Sequence, residues 1–254
     1  MADGVPKSVM GRTFAILGSF NSENRRMTLS VISERTGLPV SSVHRMVAEL
    51  VYEGALTRNL DGSYEIGTRI WRLGVLASLH SDLRELALPY MEDVYLLRND
   101  AVQIGVLDGL RCLIAERIAG SRTLSVISKP GARLPLHASG VGKVLLAHGS
   151  ADLQAAAFEV LEKYTERTIT NPDLLKRQLL EVKSLGFAFS KEELAVGATS
   201  LAVPVFGVGG KVTAALGIVT PVQNREIEKY VSVLKISATA LSRKLQANNV
   251  GHWG

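Results

Sequence analysis

Leu38-Pro39-Val40-Ser41-Ser42-Val43-His44-Arg45-Met46-Val47 is the stretch on which the reading of this chain turns. From Val40 the apolar residues Val43, Met46, Val47, Leu50 and Val51 return at intervals of three and four. That spacing keeps side chains on one face of a helix, so a helix is predicted from about Pro39 to Glu53. Its opposite face carries Ser41, His44, Arg45, Ala48 and Tyr52, with Ser42 beside them at the start.

Working upstream, Leu29, Val31 and Ile32 form a shorter helical pattern that stops at Thr36-Gly37-Leu38-Pro39, where Gly37 suits a left-handed C-cap. The polar stretch from Asn21 to Arg26 separates it from a first helix, in which Val9, Ile16, Leu17 and Phe20 share a face and Ser8 is the N-cap. Two short helices joined by a glycine turn, the second offering Ser, His and Arg near its start, make the arrangement of a helix-turn-helix. Hydroxyls and free N–H groups at a helix start hold phosphate. An arginine reads guanine with two parallel hydrogen bonds. The competing reading of these helices is a plain helical hairpin with a solvated polar face.

Downstream, Ala55-Leu56-Thr57-Arg58 and Ser63-Tyr64-Glu65-Ile66 read as short strands around Asn59-Leu60-Asp61-Gly62. An Asp-Gly between strand-like pieces signals a hairpin, and a hairpin directly after a recognition helix is a wing. Arg58 falls on it. Arg25, Arg26 and Thr28, at the entrance to the second helix, are further phosphate candidates. For any single one of these arginines, a solvated surface charge is an equally good reading.

Charge alone does not carry a nucleic-acid reading. The chain has 254 residues and a formal net charge of +5. Residues 1–66 hold seven cations (Lys7, Arg12, Arg25, Arg26, Arg35, Arg45, Arg58) and seven anions (Asp3, Glu23, Glu34, Glu49, Glu53, Asp61, Glu65). The excess therefore lies elsewhere, and what matters is whether the cations share a face. A hydrophobic content of 46% supports one large or two ordinary domains. The apolar runs, such as Gly217 to Val222, fall far short of the roughly 18 residues that span a bilayer, and the first residues have no apolar signal core. A cytoplasmic protein with no membrane partner is expected. Cys112, the single cysteine, has no disulfide partner and reads as a small buried hydrophobe.

The quoted stretch, with Gly54, Tyr64, Ile66-Gly67 and Leu73-Gly74, resembles the isocitrate lyase regulator (IclR) family of bacterial transcriptional regulators. So do Leu134-Pro135-Leu136-His137-Ala138-Ser139-Gly140-Val141-Gly142-Lys143-Val144-Leu145-Leu146-Ala147 and the run from Gly186-Phe187-Ala188 through Glu192-Glu193, Gly197 and Ser200-Leu201-Ala202-Val203-Pro204-Val205. The three matches stand in order over nearly the whole chain. The resemblance implies an α+β protein: a winged helix-turn-helix (1–67), a linker helix (68–82), a GAF-like α/β effector-binding domain (83–247) and a C-terminal tail (248–254).

The residues support this independently. Ile70, Leu73, Val75, Leu76 and Leu79 form a stripe for a linker helix from Thr68 to about His80, and Asp82 to Arg98 reads as another amphipathic helix. Strands are predicted at Ala101–Leu107 and Arg111–Ile118 around Asp108-Gly109, and at Leu201–Phe206 and Val212–Val219 around the turn Gly207-Val208-Gly209-Gly210. A closing helix buries Ile227, Val231, Leu234, Ala238, Leu241 and Leu245.

Ser139-Gly140-Val141-Gly142 at the start of a helix converges backbone N–H groups on a site that favours an anion. The resemblance points to the same place. It implies an effector pocket of the Gly140 and Val141 amides with the positions of Ser190, Ser200 and Gly217, where the family often has aspartate, cysteine and serine. These departures suggest a larger, aromatic carboxylate whose body fills space opened at Gly217. The implied partners are operator DNA, a small carboxylate and further copies of the chain as homodimer or homotetramer. Repression is the expected mode, with activation or a winged helix that binds protein as alternatives.

Other chemistries find little support. Gly142-Lys143 and Gly210-Lys211 lack the first glycine and the hydroxyl of a phosphate loop. Ser139 has no glycine-flanked elbow, and no acid stands out to orient His137, so no enzyme is expected. His44, His80, His137, His148 and His252 lack metal-ligand spacing, and no cofactor is implied. Glu192-Glu193 reads as a solvated surface pair.

Overall fold

The computed structural model describes residues 6, 8–21, 23–77, 79–120, 128–223 and 227–250. The chain divides into two compact units, Met1–Ala77 and Ser78–Gly254. In the first, α1 (Val9–Gly18), α2 (Leu29–Thr36) and α3 (Val40–Tyr52) precede a hairpin of β1 (Leu56–Arg58) and β2 (Tyr64–Ile66), then α4 (Thr68–Gly74). Ser8 caps α1 by accepting from the Gly11 N–H, and Gly37 ends α2 at φ 66°. Ile16, Ile32, Leu38, Val43, Val47, Leu50, Leu56 and Tyr64 form one buried cluster, so three helices and the hairpin share a core. Met27 exchanges both backbone hydrogen bonds with Tyr64, which adds the segment before α2 to the edge of the hairpin.

The predicted continuous linker helix is not observed. α4 ends at Gly74, and Val75 to Ala77 continue as turns in which Leu76 and Ala77 donate three residues back, to Leu73 and Gly74. Glycine is among the weakest helix formers. Of the expected stripe, Leu73 and Leu76 are exposed, so no packing compensates. Helix resumes with a π turn over Leu79–Arg84 that runs into α5 (Glu85–Arg98). Pro89 lies inside α5, where it cannot donate to the carbonyl of Glu85.

The second unit is built on a six-stranded antiparallel sheet in the order β5-β4-β3-β8-β7-β6. The strands are β3 (Ala101–Asp108), β4 (Arg111–Ile118), β5 (Arg133–Pro135), β6 (Ala188–Lys191), β7 (Ala198–Phe206) and β8 (Val212–Pro221). One face packs Val102, Ile104, Leu201, Val203, Leu216 and Ile218 against α5 and α9 (Tyr230–Ala247). The other packs against α6 (Gly140–His148), α7 (Ala151–Phe158) and α8 (Pro172–Leu185). Where α6 meets that second face the sheet offers small residues, Ala202 opposite Gly217 in register and Ala215 two residues before it on β8, and α6 lies so close that every residue from Gly140 to Ala147 is buried. Cys112 is fully buried, as its reading required, and burial pushes its thiol far above the ordinary range. Of the expected tail, 251–254 lie outside the described residues.

Candidate DNA-binding face and effector cavity

The amphipathic reading of α3 holds except at Val40, which the spacing put on the apolar face and which is exposed; Met46 and Val51 are half-buried. Val43, Val47 and Leu50 are buried, whereas Ser41, His44 and Arg45 are exposed and Ser42 half-buried at the helix start. The cations of this unit separate into two groups. Arg12 and Arg35 donate to the carbonyls of Pro6 and Ser19, and Arg26 donates to Glu65 of the wing at 2.9 Å. Arg25, Arg45 and Arg58 have no hydrogen bond or ion pair among the described residues and are exposed. Arg58 stands opposite Tyr64 in the hairpin, and Tyr64 is bridged to Met27, so the backbone brings Arg25, Arg26 and Arg58 to one end of the wing. Thr28 is the extended N-cap residue of α2, with its hydroxyl 2.9 Å from that of Ser30 rather than on the helix. The arrangement presents a candidate recognition helix with an uncommitted guanidinium, and two further uncommitted arginines at the wing. Arg26 is the weaker candidate for a phosphate contact, since Glu65 already pairs with it.

In the second unit a cavity lies at the N-terminus of α6. The described residues lining it include Gln103, Ser128, Ser139, Ser190, Thr199 and Ser200, with Leu134, Leu194 and Val219 as apolar walls. The space open to the centre of a water molecule is about 30 Å³, and all the empty space including the mouth is about 360 Å³. The hydroxyls are not equivalent. Ser139 caps α6, accepting from the Gly142 N–H at 3.2 Å and donating to the Pro135 carbonyl at 2.8 Å, so its proton is committed and it has none to offer a ligand. Ser190 donates to the Ala138 carbonyl at 2.7 Å and keeps its lone pairs. Ser200 accepts the Gly140 N–H at 3.0 Å, which leaves its own proton to donate. Gln103 Oε1 and Ser128 Oγ are buried with no hydrogen-bond partner, a state that costs free energy until a ligand or water supplies one.

Two expectations for this site need correction. Gly217 opens no space and does not line the cavity: a Cβ there would meet the Leu201 carbonyl at 2.8 Å and Val141 Cγ1 at 3.2 Å. The missing side chain is used by α6, whose Val141 packs onto the sheet. Nor is the Gly140 amide open to a ligand, because Ser200 Oγ occupies the place an anion would take.

Glu192-Glu193 is not a solvated pair either. Glu193 is 6% exposed and its Oε1 accepts from the Nζ of Lys143, itself fully buried in α6. Burial drives the Lys143 ammonium below and the Glu193 carboxyl above their ordinary ranges, and in each case outweighs the attraction between them. Glu192, at φ 57°, accepts from the Gly197 N–H at 2.9 Å and pairs with Arg167 at 3.1 Å. His137 Nε2 lies 2.9 Å from the Glu162 carbonyl and Ser139 donates elsewhere, so no serine–histidine couple forms. Among the described residues no three His, Cys, Asp or Glu stand together as metal ligands, and no helix is long and apolar enough to cross a membrane.

Comparison with known proteins decides what this architecture is. Residues 9–60 match the model of the IclR helix-turn-helix domain, and residues 76–243 match that of the bacterial transcriptional regulator IclR C-terminal domain. The chain belongs to the IclR family. It is 30% identical over 244 residues to the HTH-type transcriptional regulator XynR of Escherichia coli, covering 92% of this chain and 95% of that one. The HTH-type transcriptional repressor AllR of the same species is 27% identical over 228 residues, covering 87% and 83%. Among solved structures, an IclR homologue from Microbacterium hydrocarbonoxydans complexed with 4-hydroxybenzoate superposes with a TM-score of 0.87 at 34% identity, covering 94% of this chain and all of that one. Like these IclR relatives, the chain is a ligand-responsive DNA-binding regulator of transcription and not an enzyme.

Within this IclR-family domain two imidazoles set an acid limit on stability. Burial, aided by the charges of Lys143 and Arg111, holds His137 below its ordinary value of 6.5, and burial with Lys183 does the same to His148. As pH falls through the ordinary histidine value the unfolded chain takes up these protons and the folded one resists, so stability is full above about pH 6.5 and declines below it. The melting temperature should fall between about pH 7 and about pH 5.5, and the slope should be shallower in His148→Gln. A slope identical in that variant would contradict the assignment.

Proposed function

We propose that the chain represses transcription by binding operator DNA as a homodimer or dimer of dimers. α3 enters the major groove, Arg25 and Arg58 contact phosphates, and a small carboxylic acid in the cavity at the start of α6 changes the operator affinity. The observation that carries the effector reading is the polar cavity itself, in which Gln103 Oε1 and Ser128 Oγ are buried without partners. Ser200 supplies a donor for a carboxylate, and Gln103 Oε1 an acceptor that a donor on the ligand can satisfy. A hydroxylated acid meets both requirements. The complex of the Microbacterium relative with 4-hydroxybenzoate supports this class.

Repression is favoured because occupying a promoter demands less geometry than recruiting polymerase, and a relative over most of the chain is named a repressor. Self-association is supported by apolar side chains left outside the first unit's core, Met10 and Phe14 on α1 and Trp71 and Leu73 on α4, each at least 60% exposed. One recognition helix reads too few base pairs for useful specificity, so paired half-sites are required. The space open to the centre of a water molecule, about 30 Å³, is far below the roughly 300 Å³ or more of a typical ligand pocket, and entry of an aromatic acid therefore moves the cavity wall. A ligand that binds one arrangement better shifts the balance between arrangements by that difference.

Calorimetry on the full-length chain tests the effector class. 4-Hydroxybenzoate should bind at least about tenfold more tightly than benzoate, which leaves the Gln103 carbonyl unpaired. Tight binding confined to the smallest oxo-acids would sink the reading.

A further inference from the structure

One wall of the cavity is the connection between β6 and β7, which contributes Leu194 and Ala195 to the lining. Its base is held by Glu192, through the Gly197 N–H and Arg167. Its middle is held by Glu193, whose carbonyl accepts from Thr168 Oγ1 at 2.6 Å and whose carboxylate takes the Lys143 ammonium. Lys143 also donates to the Phe189 carbonyl at 3.3 Å, directly before Ser190. It lies on the first turn of α6, the turn that carries Gly140. One buried ammonium thus joins the helix start, the strand bearing Ser190 and the residue before Leu194.

We propose that the Lys143–Glu193 ion pair positions the effector cavity's wall, fixing the 192–195 segment on α6 so that effector affinity depends on two charges the effector does not touch. The inference rests on the reading of this cavity as the effector site. A contribution to stability is a poor reason for such a pair, because removing two ions from water offsets their attraction and an apolar pair of like volume serves as well. The Glu193 Oε2 is buried with no partner at hydrogen-bond distance, and the N–H groups of Ile169 and Lys191 add only a small preference for the charged form. What the charges add is a single seating. A leucine slides among apolar neighbours with little change in energy, but the Lys143 ammonium has Glu193 and the Phe189 carbonyl as its acceptors, and the connection can occupy only the position that supplies them.

The test uses the full-length double variant Lys143→Met/Glu193→Leu, which removes both charges and keeps the volume, with Glu193→Gln as a second variant that keeps a hydrogen bond to the ammonium. The double variant should melt within about 4 °C of the parent. Amides of 192–197 should exchange at least about tenfold faster, with β3 and β8 unchanged. 4-Hydroxybenzoate should bind at least about tenfold more weakly, and Glu193→Gln should lie between the two. Parental exchange rates across 192–197 in the folded double variant would overturn the proposal. So would failure of both variants to fold, which would make the pair a determinant of the core instead of the wall. If the parent binds no acid at all, the effector reading fails by itself, while the exchange rates still decide whether the pair positions the wall.

Discussion

Arg45→Ala should lower operator affinity by about a hundredfold while leaving effector binding and melting temperature at parental values. A bidentate guanine contact contributes about 1–3 kcal/mol, and a symmetric dimer loses one on each half-site. The side chain is exposed on α3 and forms no hydrogen bond or ion pair among the described residues, so its removal leaves nothing unpaired in the protein. Its neighbours on the helix divide the work. Val43 and Val47 face the core, and substitutions there would weaken DNA binding by unfolding the unit, which a melting curve detects. Arg25→Ala or Arg58→Ala should instead weaken binding to all sequences alike and reduce its salt dependence, as loss of a phosphate contact does. A gel shift at two salt concentrations separates the outcomes. Unchanged operator affinity in Arg45→Ala would remove α3 from the groove.

The largest effect on stability should come from half of the buried ion pair. Lys143→Met leaves the Glu193 carboxylate buried with its partner gone, and breaking such a pair costs about 3–5 kcal/mol. Glu193→Leu should cost a similar amount by stranding the ammonium in α6. The double variant should recover most of the loss, so that the two changes together cost less than either alone. Urea unfolding of the three variants measures this. Additive losses would mean that the charges do not interact as the geometry indicates.

The parts of the fold set by neighbours in sequence were legible. Val43, Met46, Val47 and Leu50 marked the buried face of α3, Gly37 marked the end of α2, and Asp61-Gly62 marked the wing, because helix faces and hairpin turns follow from local periodicity and backbone freedom. The linker helix was misjudged for the complementary reason. Its apolar stripe ran on past Gly74, but a stripe stabilises a helix only where something packs against it. The short strands β5 and β6 carry too few residues for a period to show.

At the candidate effector cavity, the sequence pointed to the start of α6 but not to the contacts made there. Ser139 as a helix cap follows from its place before the helix, whereas Ser190 and Ser200 were implied by the family resemblance alone. That Val141 fills the space at Gly217, and that Ser200 occupies the Gly140 amide, depend on how α6 settles on the sheet. Glu193 lies 50 residues from Lys143, and no local pattern links them. One signal was available: a lysine within Gly140-Val141-Gly142-Lys143-Val144-Leu145-Leu146-Ala147 has no polar face on which to lie, and a buried ammonium needs a carboxylate.

Dimethyl sulfate footprinting of the DNA upstream of the gene, with the full-length protein and increasing 4-hydroxybenzoate, tests the central claim most directly. Guanine N7 positions should be shielded in two half-sites about one helical turn or a multiple apart, the shielding should be lost in Arg45→Ala, and the acid should change it in the parent. Shielding that is absent, or that persists in Arg45→Ala and is indifferent to the acid, would contradict the account.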